Sequence, residues 1–324
     1  MRGLASTALR ATMAALLAWL LIQALLFTLV QAAPGGPAVA LAGDFATRET
    51  QAEVVRSFAL DRPAHEQFVA FVLRMAQGDW GVSYHFRRPV AELVIERLGP
   101  TLLLMASALT IAVAAGRALG LWAAAHRNGG VVVTVAATAV YALPVFWVGQ
   151  LLMLGPALEW GWFPLGGMRD VRSVVAGGPA AWADVARHAA LPVFALALQQ
   201  TAFFVTVAHA KARVELRQDY VRAARSRGIA ERGILWGHVA RNVAPQIATA
   251  ALNRVGMMFT GAVLVETLFA WPGLGRLLAT GILSRDHPLL LGAFGLVTAA
   301  VLFASLTADL VQARLDPRVV EGPR

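Results

Sequence analysis

Residues 13–30 read MAALLAWLLIQALLFTLV, an uncharged apolar run flanked by Arg2 and Arg10. At 1.5 Å per residue such a run reaches across the ~30 Å hydrocarbon core of a bilayer. Five further runs of comparable character are expected at about 102–124, 131–154, 191–210, 247–268 and 289–311. A chain of 324 residues with 58 % hydrophobic and 15 % charged residues has too much apolar surface for one water-soluble core. Lipid covers such faces directly, so one membrane domain is expected instead of the two soluble ones that length alone suggests. The fold class is an all-α polytopic membrane protein with six transmembrane helices and both termini on one side.

The first run fits either a secretory signal or a retained anchor. It is long for the former, and the QAAPGGP that follows is only loosely like a cleavage site, so an anchor is expected. Residues 35–99 carry seven arginines against eight acids and read as an extracytoplasmic segment with short amphipathic helices. Residues 211–241 carry eight basic residues against three acids, Glu215, Asp219 and Glu231. Excess positive charge marks the cytoplasmic side, where His126, Arg127, Arg314, Arg318 and Arg324 also fall. Residues 159–188 and 271–287, with tryptophan at their edges, fall outside. The chain therefore divides into an N-terminal helix (1–31), an extracytoplasmic region (32–98), a five-span core (99–313) containing a cytoplasmic loop (211–244), and a cytoplasmic tail (314–324).

With no cysteine, thiolate metal sites and cysteine nucleophiles are excluded. The seven histidines are scattered without ligand spacing, which argues against a metal site. No glycine loop followed by Lys and Ser/Thr occurs, so the chain itself lacks P-loop ATPase chemistry. No catalytic constellation is visible, and an enzyme is not expected.

The densest charge lies in RQDYVRAARSRGIAERGILW, residues 217–236. A helix is expected from about Val214 to Arg227, with Glu215, Asp219 and Arg222 at pairing distances, then a break at Gly228. A second helical stretch from about Ala230 to Asn242 precedes Pro245, which marks the next span. The residues alone leave three readings: a headgroup-bound amphipathic helix, a docking helix in which Ala223 and Ala224 beside Tyr220 admit a partner closely, and a DNA-binding helix-turn-helix. The third is disfavoured because spans tether the loop at both ends.

DYVRAARSRG (219–228) followed by ERGILWGHVARNVAP resembles the cytoplasmic coupling loop of ATP-binding-cassette importer permeases, in particular the dipeptide, oligopeptide and nickel group. Further landmarks of that group stand in order: APGGPA at 33, LDRPAHEQF at 60, GDWGVSYHFRRPVAELVIERLGPTL at 78, LPVFWVGQLL at 143, RHAALP at 187, GAVLVETLFAWPGLGRLL at 261, RDHPLL at 285 and LDPR at 315. The resemblance covers essentially the whole chain. It implies a bacterial inner-membrane permease subunit forming half of a translocation pathway for peptides, or, as the alternative, for nickel or another small solute. A secondary transporter or channel is the less favoured reading. The implied partners are a second permease, expected to differ in sequence, two cytoplasmic ATP-binding subunits that hold ATP and Mg, and an extracytoplasmic solute-binding protein. The chain holds no cofactor of its own. Departures from the group's pattern are Arg222, where the general permease triplet begins with an acid, Ser305 and Gln312, where asparagine and tyrosine are usual, and a charge at Arg254.

On this resemblance Asp219, Tyr220, Arg222, Ala223, Ala224 and Gly228 form the ATPase-docking loop. Asn253 and Arg254 in the fifth span, with Gln199 and Gln200 in the fourth, are candidates for the translocation pathway, since an intramembrane arginine costs about 2.5 kcal/mol or more unless it faces a polar cavity or partner. Snorkelling of Arg254 to an interface is the alternative. Glu266, Trp271, Pro272, Gly273 and Gly275 match the group's extracytoplasmic gate, against the plainer reading of a belt tryptophan and a Pro-Gly turn.

Overall fold

A computed structural model describes residues 2–32, 63–170 and 178–315. Expectations placed on 33–62, 171–177 and the tail from 316 lie outside the described residues. The helices in chain order are α1 (Arg2–Ala32), α2 (Ala64–Ala76), α3 (Val90–Ala125), α4 (Arg127–Ala142), α5 (Val145–Leu152, continued by a π-helix over Met153–Glu159), α6 (Gly178–Glu215) and α7 (Asp219–Ser226). After a helical turn at Glu231–Gly233 and a π-helix over Ile234–Val239 come α8 (Ala240–Leu268), α9 (Leu274–Leu283) and α10 (His287–Leu315). Among the described residues the only strand-like feature is an isolated Val82–Pro89 bridge.

Five helical stretches are long and apolar enough to cross a membrane, and α4 with α5 makes a sixth if a 93° bend is counted within one span. The span expected at about 131–154 is thus built from two helices that meet at a sharp bend. The cause is local: Pro144 has no N–H to continue α4, and Leu143 before it is extended (φ −73°, ψ 131°). In the opposite direction, Pro100, Pro192 and Pro245 lie inside α3, α6 and α8. The helices therefore begin before the apolar runs expected from about 102, 191 and 247, because proline is tolerated within membrane helices where the freed backbone finds other partners.

The chain folds as two compact units. One comprises residues 1–99 with 273–306, the other 100–272 with 307–324. In the first, the segment after α2 turns back on itself: Val90 N donates to Gly81 O at 2.9 Å and Ser83 N to Arg88 O at 2.9 Å. α1 is mostly uncovered, and its Trp19 Nε1 donates to Gly295 O of α10 at 2.9 Å.

In the second unit α6 is central and packs against α4, α5 and α8. Its apolar window is 56 % buried, compared with 6 % for α1. α3 approaches α6 closely through Gly116 and Gly120, a four-residue spacing of small residues that admits a neighbouring backbone. A Cβ at Gly120 would stand 2.6 Å from Ala208 Cβ, so no side chain fits there.

Four helices stop by one device. After α2, α7, α8 and α9, the residues Gly78, Gly228, Ala270 and Arg285 adopt φ of 84°, 77°, 51° and 52°. The next residue's N–H then returns to the carbonyl five positions back: Asp79 to Arg74, Ile229 to Ala224, Trp271 to Glu266 and Asp286 to Gly281. Ala270 and Arg285 hold this left-handed conformation without being glycine, which costs each about 1–2 kcal/mol.

Candidate functional site

The loop between α6 and α8 departs from the expected single helix over 214–227. α6 stops at Glu215, Gln218 is extended (φ −71°, ψ 154°), and α7 begins at Asp219. The second expected stretch, 230–242, is the lead-in to α8 and passes through the π-helix without a boundary at Pro245. This break turns α7 so that Val221 and Ala224, both fully buried, join Ile234, Leu235, Val239 and Val243 in an apolar cluster with α3 and α6. The opposite side presents Asp219, Arg222, Ala223, Ser226 and Arg227, all exposed. Their spacing of three, four, seven and eight residues makes one continuous stripe. Ala223 is a small step between charged neighbours, whereas Ala224 is spent on the chain's own packing and does not face outward.

Several contacts fix this helix. Tyr220 Oη donates to Glu215 Oε2 at 2.8 Å, and Asn242 Nδ2 reaches the same oxygen at 3.3 Å. Burial, then the Glu215 hydrogen bond, pushes the Tyr220 phenol up to about 12. Of the expected pairs, Arg222 meets Asp219 at 3.3 Å, while Glu215 serves Tyr220 instead. Arg225 closes the turn with two bonds to Glu231, Nε to Oε1 at 2.6 Å and Nη2 to Oε2 at 3.1 Å. Gly228 has open space around it, so its requirement is conformational (φ 77°).

The pathway candidates divide. Arg254 is 7 % exposed and Gln200 4 %, and they meet: Arg254 Nε donates to Gln200 Oε1 at 2.9 Å. Arg254 Nη2 donates to the Tyr141 hydroxyl at 3.1 Å, and the guanidinium carbon stands 4.2 Å from the Phe203 ring centroid. Gln199 instead donates to the Leu143 carbonyl at 3.3 Å, serving the broken end of α4, and Asn253 points outward. The Arg254 side chain runs sideways onto α4 and α6. Tyr141, Gln200 and Arg254 lie about 14–15 residues, roughly 21 Å, from the α4, α6 and α8 ends that adjoin the α7 side. Tyr141 and Phe203 could not be picked out in the sequence because nothing in their spacing ties them to residue 254.

The gate candidates lie in both units and are described separately. Glu266 and Trp271 are fully buried. Thr101 Oγ1 donates to Glu266 Oε1 at 2.7 Å, and Trp271 Nε1 donates to Pro100 O at 3.1 Å. Trp271 is therefore a core residue and not a belt residue, and these two side chains hold α3 to the end of α8 instead of offering a surface. Gly167 N donates to Phe269 O at 2.8 Å on the same helix end. Pro272 follows Trp271 directly; Gly273 precedes α9, and Gly275 is buried within it.

A helical chain with five or six stretches long and apolar enough to cross a membrane, and a charged helix displayed between two of them, has the make-up of a polytopic membrane protein. Residues 116–321 match the model of the family described as binding-protein-dependent transport system inner membrane component, and residues 5–105 match its N-terminal companion. The chain belongs to that family and is an integral inner-membrane permease of the ATP-binding-cassette class. It is 32 % identical over 305 residues to a Brucella suis (strain 1330) peptide permease protein, across 93 % of this chain and 94 % of that one. It is 32 % identical to the glutathione transport system permease protein GsiC of Salmonella choleraesuis (93 % and 94 % covered) and 29 % identical to the dipeptide transport system permease protein DppB of Escherichia coli K12 (92 % and 94 %).

Proposed function

We propose that the protein is one of two dissimilar permease subunits of a peptide importer, powered by two cytoplasmic ATP-binding subunits and supplied by an extracytoplasmic binding protein. The observation that carries this is α7. Its inner face is locked to α3, α6 and the lead-in to α8, while its outer stripe has small Ala223 between charged groups, so displacement of a docked ATPase pulls on membrane helices directly. ATP and Mg bind in those partners. Both termini and the 211–244 loop lie in the cytoplasm, as the arginine excess there supports.

Peptide is favoured over nickel because the relatives are named for peptide, glutathione and dipeptide transport. Reconstituted vesicles containing all subunits are expected to accumulate a labelled dipeptide only with ATP, and to stop when the ATP-binding subunits are omitted. Uptake without those subunits would mean a secondary transporter. Uptake of nickel but not peptide would shift the substrate class.

A further inference from the structure

Arg254 carries a full charge, is 7 % exposed, and takes part in none of the ion pairs formed among the described residues. Its partners are neutral: the Gln200 amide oxygen, the Tyr141 hydroxyl, the Phe203 ring and the Met257 thioether, which Nη1 approaches at 2.9 Å. Such a cage orients a guanidinium, and its cation–π contact offsets part of the desolvation. It does not neutralise the charge. Gln200 takes the Nε proton, Tyr141 one proton of Nη2, and the Met257 sulfur, a weak acceptor on a flexible side chain, one proton of Nη1, so that one proton on each Nη nitrogen meets no acceptor among the described residues. Met257 is 62 % exposed and Tyr141 39 %, so two of the side chains that cage the buried guanidinium reach the surface of the unit.

We infer that the Nη1/Nη2 edge of Arg254 is a carboxylate-reading site, with the C-terminal carboxylate of a passing peptide as its ligand. The inference rests on the peptide-import reading above and adds to it the substrate group recognised within the membrane. A planar fork presents two parallel N–H donors to a carboxylate, and Met257 swings aside to admit it. The neutral cage suits transport better than a permanent acid would: an ion pair inside the protein would compete with the substrate, whereas a cation held by neutral acceptors binds an anion and releases it.

The test uses the complete importer in proteoliposomes, with binding protein saturating for each substrate. Uptake of a dipeptide is compared with uptake of its C-terminal amide in the wild type, Arg254→Gln, Arg254→Lys and Tyr141→Phe. The acid-to-amide uptake ratio is expected to fall about tenfold in Arg254→Gln, the size of one charge-assisted pair, to recover partly in Arg254→Lys, and to fall about twofold to fivefold in Tyr141→Phe. A wild-type ratio in Arg254→Gln overturns the inference while leaving peptide import standing. If Arg254→Gln fails to assemble, unchanged ratios in Arg254→Lys and Tyr141→Phe overturn it equally. Absence of ATP-dependent uptake of either peptide by the wild type removes the import reading and this inference with it.

Discussion

Arg117 on α3 donates from Nη2 to the carbonyl of Ala240, 3.2 Å away, where the π-helix after α7 passes into α8. A π turn shifts carbonyls out of the usual register, and a guanidinium from a neighbouring helix supplies a donor there. The side chain thereby links α3 to the segment that joins α7 to α8. Arg117→Leu is expected to cost about 1–3 kcal/mol through the unmet carbonyl. A lowered unfolding midpoint of the detergent-purified protein checks this, and an unchanged midpoint would show the contact to be incidental.

The two adjacent alanines of α7 are expected to fail in different ways. Ala223 is exposed in the charged stripe, so Ala223→Trp should leave expression and thermal stability near wild type while abolishing co-purification of the ATP-binding subunits. Ala224 is fully buried against Ile234 and Val239, so Ala224→Trp overpacks the core and should reduce folded protein itself. Retained docking in Ala223→Trp would remove this face as the contact surface.

Gly228 supplies a third variant at the same loop. With φ at 77° and no atom within 4 Å of where a Cβ would stand, size is not the constraint. Gly228→Asn should be tolerated and Gly228→Val should not, because a β-branched residue is a strong outlier in the left-handed region. Equal assembly and uptake in the two variants would contradict a conformational role.

Two of the three tyrosines hold their protons unusually late. Tyr220 and Tyr84 are both pushed up to about 12, each mainly by burial, the second also by the Asp286 charge. A phenol with a folded value above its unfolded value near 10 contributes stability that is fully present below about pH 10 and is lost as pH rises from about 10 toward about 12. Ultraviolet titration of folded protein at about pH 11 should therefore show little tyrosinate from these two positions. Tyr220→Phe should remove one late-titrating group, and a full tyrosinate signal at about pH 10.5 would contradict both placements.

Much of this protein was legible in its sequence because lipid imposes a long, one-dimensional signal. Apolar run length located the spans, and arginine distribution picked out the loop that α7 occupies. What escaped was decided by contacts between distant residues. Prolines 100, 192 and 245 look like boundaries, yet lie inside helices, while Pro144 ends one; only the surrounding packing distinguishes them. Arg254 announced itself by its cost in the membrane, but Tyr141 and Phe203 are ordinary aromatics until the fold brings them to it. Arg117 could have been found by the same cost argument, lying between Gly116 and Gly120 inside an apolar run.

The RDHPLL stretch received no role from its sequence, although its aspartate organises one end of the first unit. Asp286 is fully buried and accepts from Ser83 Oγ at 2.5 Å, His85 N at 3.0 Å and Leu289 N at 3.2 Å. The last of these caps α10, three residues into the helix, while the first two hold the turn that leads to α3. Asp286→Ala leaves all three donors unmet in a buried place, and a cost of several kcal/mol is expected from about 1–3 kcal/mol for each. Asp286→Asn keeps acceptor capacity on one atom and should cost less. Ser83→Ala removes a single donor and leaves the cap intact, so it should cost least. Unfolding midpoints of purified protein are thus expected to fall in the order Ser83→Ala, Asp286→Asn, Asp286→Ala. If Asp286→Ala were no worse than Ser83→Ala, the backbone bonds to the carboxylate would contribute nothing, and the cap could not be what fixes the start of the last span.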